Sequence, residues 1–151
     1  MKILFFAPHS AIWVHAFPEA LVAESLMQAG HEVLYVGCGR QLDGYCIPVA
    51  AIGLAYPPAP AQRTSVCDRC ERNEVLLRSQ LRLAGPNLSD LLEVDDNTRA
   101  NDIIANADGD LASIEIEGLK VGKIALYEFM LRKKLLTTTI IGELLAEFSK
   151  K

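Results

Sequence analysis

Neither of the two glycine-rich signatures that cradle phosphates occurs in this chain. The first apolar run is not followed by Gly-x-Gly-x-x-Gly, and Gly-x-x-x-x-Gly-Lys-Ser/Thr is found nowhere, so a phosphate cradle is not expected in the first turn. Basic stretches interleaved with aromatics are also lacking. With a formal net charge of −4, nothing favours nucleic acid as a partner. No apolar run approaches the ~18 residues of a membrane span, so no transmembrane segment is expected. After Lys2 the first apolar run lasts five residues before Pro8-His9 interrupts it, too short for a signal peptide. Internal repeats and low-complexity tracts are absent. These absences lead to the expectation of a cytoplasmic protein.

What is present suits an ordinary α/β domain. The 151 residues are 50% hydrophobic and 23% charged, enough for one core and too few for two. Met1–Arg40 organises the chain. An apolar run through Phe6 leads to Pro8-His9-Ser10, then to an amphipathic run ending at Gly30-His31-Glu32, then to Val33-Leu34-Tyr35-Val36. This is the pattern of a β-loop-α-β unit with a right-handed crossover. Neither apolar run alternates with polar residues, which predicts central strands covered on both faces. The expected fold class is therefore α/β, a Rossmann-like open parallel sheet flanked by helices, over residues 1–151 as a single domain. Ligands of such sheets sit at the carboxyl ends of the strands, which directs attention to Ala7–Val14.

Spacing predicts a strand at Lys2–Phe6 and a helix from near His15, with Pro18 in its first turn and Gly30 as its C′ residue. Phe17, Leu21, Val22, Ser25 and Leu26 are its expected sheet-facing positions. Residues 37–70 read as a long cysteine-bearing loop, with a short strand at Ile47–Ala51 and an extended Tyr56–Pro60 linker. Helices are expected at Arg63–Leu83, at Asn87–Leu92 and from Asp95/Asp96 to Ala105, with Asp96 as N-cap. A short strand at Ala112–Ile116, a loop at Gly118–Gly122, a helix at Lys123–Lys134 and a last helix from Thr138 or Thr139 to Phe148 complete a helix-rich second half.

The four cysteines are Cys38, Cys46, Cys67 and Cys70. Cys67-Asp68-Arg69-Cys70 is a Cys-x-x-Cys pair, and Cys38 with Cys46 forms a looser one. In a reducing compartment such pairs point to metal or redox chemistry more than to structural disulfides. A closed four-sulfur zinc site would staple the long loop to the following helix. Unligated thiols, a redox or disulfide pair and an iron–sulfur cluster use the same residues and remain open at this level.

The segment His15-Ala16-Phe17-Pro18, followed fifteen positions after His15 by Gly30-His31-Glu32-Val33, resembles the His-x-x-Pro and Gly-His-x-Val motifs of inverting GT-B glycosyltransferases, which include a bacterial surface-polysaccharide group. The resemblance covers about the first quarter of the chain. Ile12-Trp13-Val14 departs from it, standing where the family has a small, glycine-containing turn. The resemblance implies the N-terminal, acceptor-binding domain of such an enzyme, with His15 as the base that deprotonates a glycan or other small-molecule hydroxyl acceptor. It also implies a nucleotide-sugar co-substrate held mainly by a second, C-terminal nucleotide-sugar-binding domain or by a partner subunit. Two such domains need roughly 100–200 residues each, so this chain alone is expected to be inactive.

His9, Ser10 and Trp13 lie on the same expected rim and are candidate substrate contacts. Any zinc would be structural. An acidic partner for His15 could be Asp90, Asp95, Asp96, Asp108 or Asp110, among which the sequence does not choose. The alternative function is a metal-stapled α/β binding module that recruits a partner subunit; a Cys-x-x-Cys redox protein is a third.

Overall fold

The computed structural model describes residues 1–42, 46–55, 57–107 and 111–133. The expected final helix and the acidic candidates Asp108 and Asp110 lie outside the described residues. Two compact units are present, Met1–Leu92 and Glu93–Lys151.

The first unit begins as expected. Strand β1 (Lys2–Phe6) and strand β2 (Glu32–Val36) pair in parallel, with Lys2 opposite Glu32 and Phe6 opposite Val36. Helix α1 (Trp13–Gln28) connects them. It starts two residues earlier than the sequence suggests, so Pro18 falls beyond the first turn. Its missing N–H leaves the carbonyl of Val14 unbonded within the helix. Val14 is exposed, so water can satisfy that carbonyl. Gly30 follows the helix at φ 85°, the left-handed conformation that ends helices without a Cβ clash.

The face that α1 buries is not the one its large residues suggest. Ala16, Ala20 and Ala23 are buried against Tyr35 and Leu77, with Phe5, Val33 and Met27 packed around them. Phe17, Leu21 and Val22 are exposed instead. Periodicity locates a helical stripe but cannot rank two of them. The alanine stripe prevails because small side chains let the helix backbone approach the sheet closely.

The expected Rossmann-like open sheet flanked by helices is not what forms. Among the described residues the structure is mostly helical, and its only sheet is the pair β1–β2. Nor are these strands covered on both faces: Leu4, Phe6 and Leu34 are 62%, 49% and 43% exposed. The missing alternation in their sequences identifies strands, but it does not count their neighbours. Residues 84–88 run along the other edge of β2, where Tyr35 N–H donates to Ala84 O (2.9 Å), Gly37 N–H to Pro86 O (3.2 Å) and Leu88 N–H to Gly37 O (3.1 Å). This segment forms one isolated parallel bridge, Gly37 to Asn87, rather than a strand. Pro86 has no N–H to extend a ladder. Gly85 sits at φ 148°, and a Cβ there would overlap the Tyr35 carbonyl.

Helix α2 (Ile47–Ala51) replaces the short strand expected there. Pro48 is compatible with a helix start, where its lack of an N–H costs nothing. Helix α3 (Pro60–Leu81) begins three residues before Arg63, with Pro60 in its first turn and the Gln62 side chain accepting from Ala59 N–H at 3.2 Å. The stretch read as a cysteine-bearing loop thus carries two helical segments. Helix α4 (Leu88–Leu91) is the capped turn expected from Asn87, whose N–H donates to Asp90 Oδ2 at 2.8 Å.

Arg78 of α3 holds the unit together. Its Nε donates to Glu74 Oε1 (2.8 Å), one terminal nitrogen donates to Gly85 O (2.9 Å), and the other donates to Tyr35 O (3.0 Å). The guanidinium also lies 5.5 Å from the centre of the Tyr35 ring. One side chain therefore joins α3, β2 and the 84–88 segment.

The second unit contains helix α5 (Asp96–Ala105), a 3₁₀ turn at Leu111–Ser113 and helix α6 (Val121–Lys133). Asp95, not Asp96, is the N-cap residue. The strand expected at Ala112–Ile116 is instead this 3₁₀ turn followed by a tight hairpin. Ile116 and Leu119 exchange backbone hydrogen bonds of 2.9 Å each way. Glu117 and Gly118, both at positive φ (51° and 82°), supply the turn, the mirror-image type that hairpins favour. Leu111 and Phe129 form its small core with Ile104, Ile114 and Leu126.

Removing Arg78 leaves Glu74 buried without its cation, so Arg78→Ala should cost about 3 kcal/mol. Arg99→Ala removes an exposed pair and should cost within about 0.5 kcal/mol. Urea unfolding of the two variants beside the parent chain checks this ranking.

Candidate functional site

Residues 7–12 form the turn from β1 into α1, at the carboxyl ends of both strands. Ala7 N–H donates to Val36 O (2.9 Å), and Ile12 N–H donates back to His9 O (2.8 Å), closing the turn on itself. From below, α3 holds it at two points. Asn73 Nδ2 donates to Ser10 O (2.7 Å), and Ala11 N–H donates to Cys70 Sγ (3.3 Å).

His9 Nε2 lies 3.0 Å from Glu19 Oε2, and both side chains are largely withdrawn from solvent. Glu19 is on α1, four residues after His15. His15 is exposed in the first turn of that helix. At about 100° per residue, His15 and Glu19 share one flank of α1, but the Glu19 carboxylate is engaged by His9. Among the described residues no carboxylate pairs with His15. Asp90 and Asp96 instead accept from backbone N–H groups at helix starts.

Trp13 stacks on Phe17, with ring centres 5.3 Å apart and planes 9° from parallel. These two residues lie roughly half a turn round α1 from His15, by the same rotation per residue. The structure therefore pairs His9 with Glu19, sets His15 on the same flank of α1 as Glu19, and puts Trp13 on another flank. Ser10 is buried, and its hydroxyl has no hydrogen-bond partner, so it faces the interior rather than the rim. The role of Glu19 was not legible in the sequence.

Tyr35 is fully buried, and its hydroxyl has no hydrogen-bond partner. Burial pushes that hydroxyl up to about 12, the carboxylates of Glu19 and Glu74 add to the effect, and Arg78 opposes it. Glu19 and Glu74 thus both act on one buried phenol.

The four cysteines are free and half-buried. Cys38 follows β2, Cys46 precedes α2, and Cys67 and Cys70 lie one turn apart on α3. Burial pushes the Cys70 thiol up to about 11 against the Ala11 N–H, and the charges of Cys46, Cys38 and Cys67 add to the rise. Burial also raises Cys46, partly offset by the Val49 N–H, with Cys67 and Cys38 contributing. Among the described residues no three of the His, Cys, Asp and Glu side chains form a ready-made coordination shell.

Arg40, in a left-handed turn at φ 66°, donates to Asp68 Oδ1 (2.7 Å) and Glu71 Oε2 (2.6 Å). It clips the connection after β2 onto the helical turn that carries Cys67 and Cys70. Hydrogen bonding to Arg40 holds the Glu71 carboxyl below the ordinary range.

Comparison with protein families, curated proteins and solved structures finds no match to this chain. Among the described residues no helix is long and apolar enough to cross a membrane.

Tyr35 and Cys70 are both held protonated in the folded chain above their ordinary values of 10.0 and 9.0. The unfolded chain loses these protons first as pH rises, so this contribution is intact below pH 9 and is lost between there and about pH 12. Tyr35→Phe removes an unpartnered buried hydroxyl and should be neutral or stabilising at pH 7. It should also flatten the upper part of the alkaline decline, which denaturation midpoints measured from pH 7 to 12 would show.

Proposed function

We propose that the β1–α1 rim binds a hydroxyl-bearing acceptor, a glycan in class, and that a histidine of this rim removes the hydroxyl proton as a sugar is transferred from a nucleotide-sugar donor. The observation that carries this reading is the His9–Glu19 pair at 3.0 Å. A carboxylate on one imidazole nitrogen fixes the tautomer and leaves the other nitrogen to accept a proton, the arrangement a general base needs. His15 is the base by resemblance. It stands exposed on the same flank of α1 and supplies a second imidazole to the rim. The reading concerns the strand–turn–helix–strand unit alone. Donor binding is assigned to a further domain or subunit.

A second reading, a cysteine-stapled module that recruits a partner subunit, is favoured by the uncovered apolar side chains of Leu4, Phe6 and Leu34. The two readings separate in one experiment. The chain is titrated with a panel of neutral oligosaccharides while the imidazole resonances of its three histidines are followed by NMR. The acceptor reading expects at least one saccharide to move the His9 and His15 signals while leaving His31, at the far end of α1, unchanged. A panel that leaves both rim histidines unmoved sinks it. In the complete transferase, loss of the base should lower turnover by about 10²–10⁴-fold, and single His9→Ala and His15→Ala variants decide which imidazole carries that loss.

A further inference from the structure

We propose that Cys38, Cys46, Cys67 and Cys70 form one tetrahedral thiolate site for a zinc-class divalent cation, and that this site is joined to the histidine-bearing turn through the Ala11 N–H···Sγ Cys70 hydrogen bond.

The fold gathers these residues from separate places in the chain. Cys67 and Cys70 are spaced i, i+3 on α3, so both sulfurs emerge from one face of a 22-residue helix. Cys38 lies two residues before Arg40, whose guanidinium grips Asp68 and Glu71 on the same turn of α3. That clip fixes the chain after β2 beside the Cys67/Cys70 pair. Cys46 comes from the other side, at the start of α2, which packs on α3. All four thiols are half-buried.

Four cysteine sulfurs are the donor set of closed structural zinc sites; no three of them stand as a ready-made shell in this structure, so the cation would draw them together from the elements that carry them. Binding replaces each S–H proton by a metal–sulfur bond. One divalent cation with four thiols releases four protons to solvent and leaves a site of charge −2, with no change of oxidation state. Such a charge calls for N–H donors around the sulfurs, and outer hydrogen bonds of this kind orient metal ligands. Ala11 already supplies one to Cys70 at 3.3 Å. Because Ala11 lies between His9 and His15 in the turn, the sulfur that would bind metal also holds the backbone of the rim. Loading the site would therefore stiffen the turn that presents both imidazoles.

The test uses the reduced 151-residue chain, stripped with a chelator and then titrated with zinc or cobalt(II) chloride. We expect one cobalt per chain, with the charge-transfer and ligand-field bands of a four-sulfur tetrahedral site. We also expect four thiols that react with a disulfide reagent after chelation and are protected by zinc. On zinc loading the Ala11 amide resonance should move. Cys38→Ser and Cys67→Ser should each weaken cobalt binding by more than the roughly 10–100-fold typical of a lost outer hydrogen bond. If either variant fails to fold, the thiol count on the parent chain still decides.

Thiols equally reactive with and without zinc would overturn the proposal. So would disulfides opened by reductant alone, or uptake of iron and sulfide in preference to zinc. An unmoved Ala11 amide in a loaded chain would overturn the link to the turn.

Discussion

The first unit depends on one guanidinium placed where three backbone segments need a donor. Two parallel strands bury too little to stand alone, and the third segment along β2 contributes only scattered hydrogen bonds. Arg78 compensates by donating to carbonyls of β2 and of the 84–86 segment while its charge is neutralised by Glu74 on its own helix. Its planar fork is suited to several carbonyls at once, which a lysine ammonium could not reach in the same plane. Gly37 and Gly85 are the space left for this arrangement: a side chain at Gly37 would collide with Glu74 and Asn87, and one at Gly85 with the backbone of Tyr35.

This core also organises the rim. Tyr35 is a core residue, and the charges of Glu19 and Glu74 both act on its buried hydroxyl. From α3, Asn73 and Cys70 reach up to the turn, so the helix that anchors the sheet edge also sets the backbone on which His9 and His15 are carried.

Local chemistry was legible in the sequence, and assembly much less so. Lys2–Phe6, the crossover helix, β2, the Asn87–Asp90 cap and the helix ending at Ala105 follow from apolar runs, caps and glycine positions, all of which act within a few residues. The sheet is not legible in the sequence because unbroken apolar strands usually imply covered faces, whereas here Leu4, Phe6 and Leu34 are exposed. The buried stripe of α1 is hidden in the sequence because Phe17, Leu21 and Val22 outweigh alanines on any hydrophobicity scale, while the close approach of helix to sheet admits only the alanines. Ile47–Ala51 reads as a strand by composition, but Pro48 suits the start of a helix. At the site, the positions of His9 and His15 after the first strand place them in the turn and at the start of α1. The role of Glu19 is not legible in this way, because its partner comes from the turn before its own helix, a contact set by folding rather than by spacing.

Trp13 is the only tryptophan of the chain, and it sits in the first turn of α1, stacked on Phe17. Indole emission is consequently a local signal from the first unit, whereas helical ellipticity averages over both. In a chain of two compact units the two signals need not follow the same denaturation curve. Any gap between them would measure how far the helices of the second unit, around Leu111 and Phe129, melt independently of the β1–α1 turn.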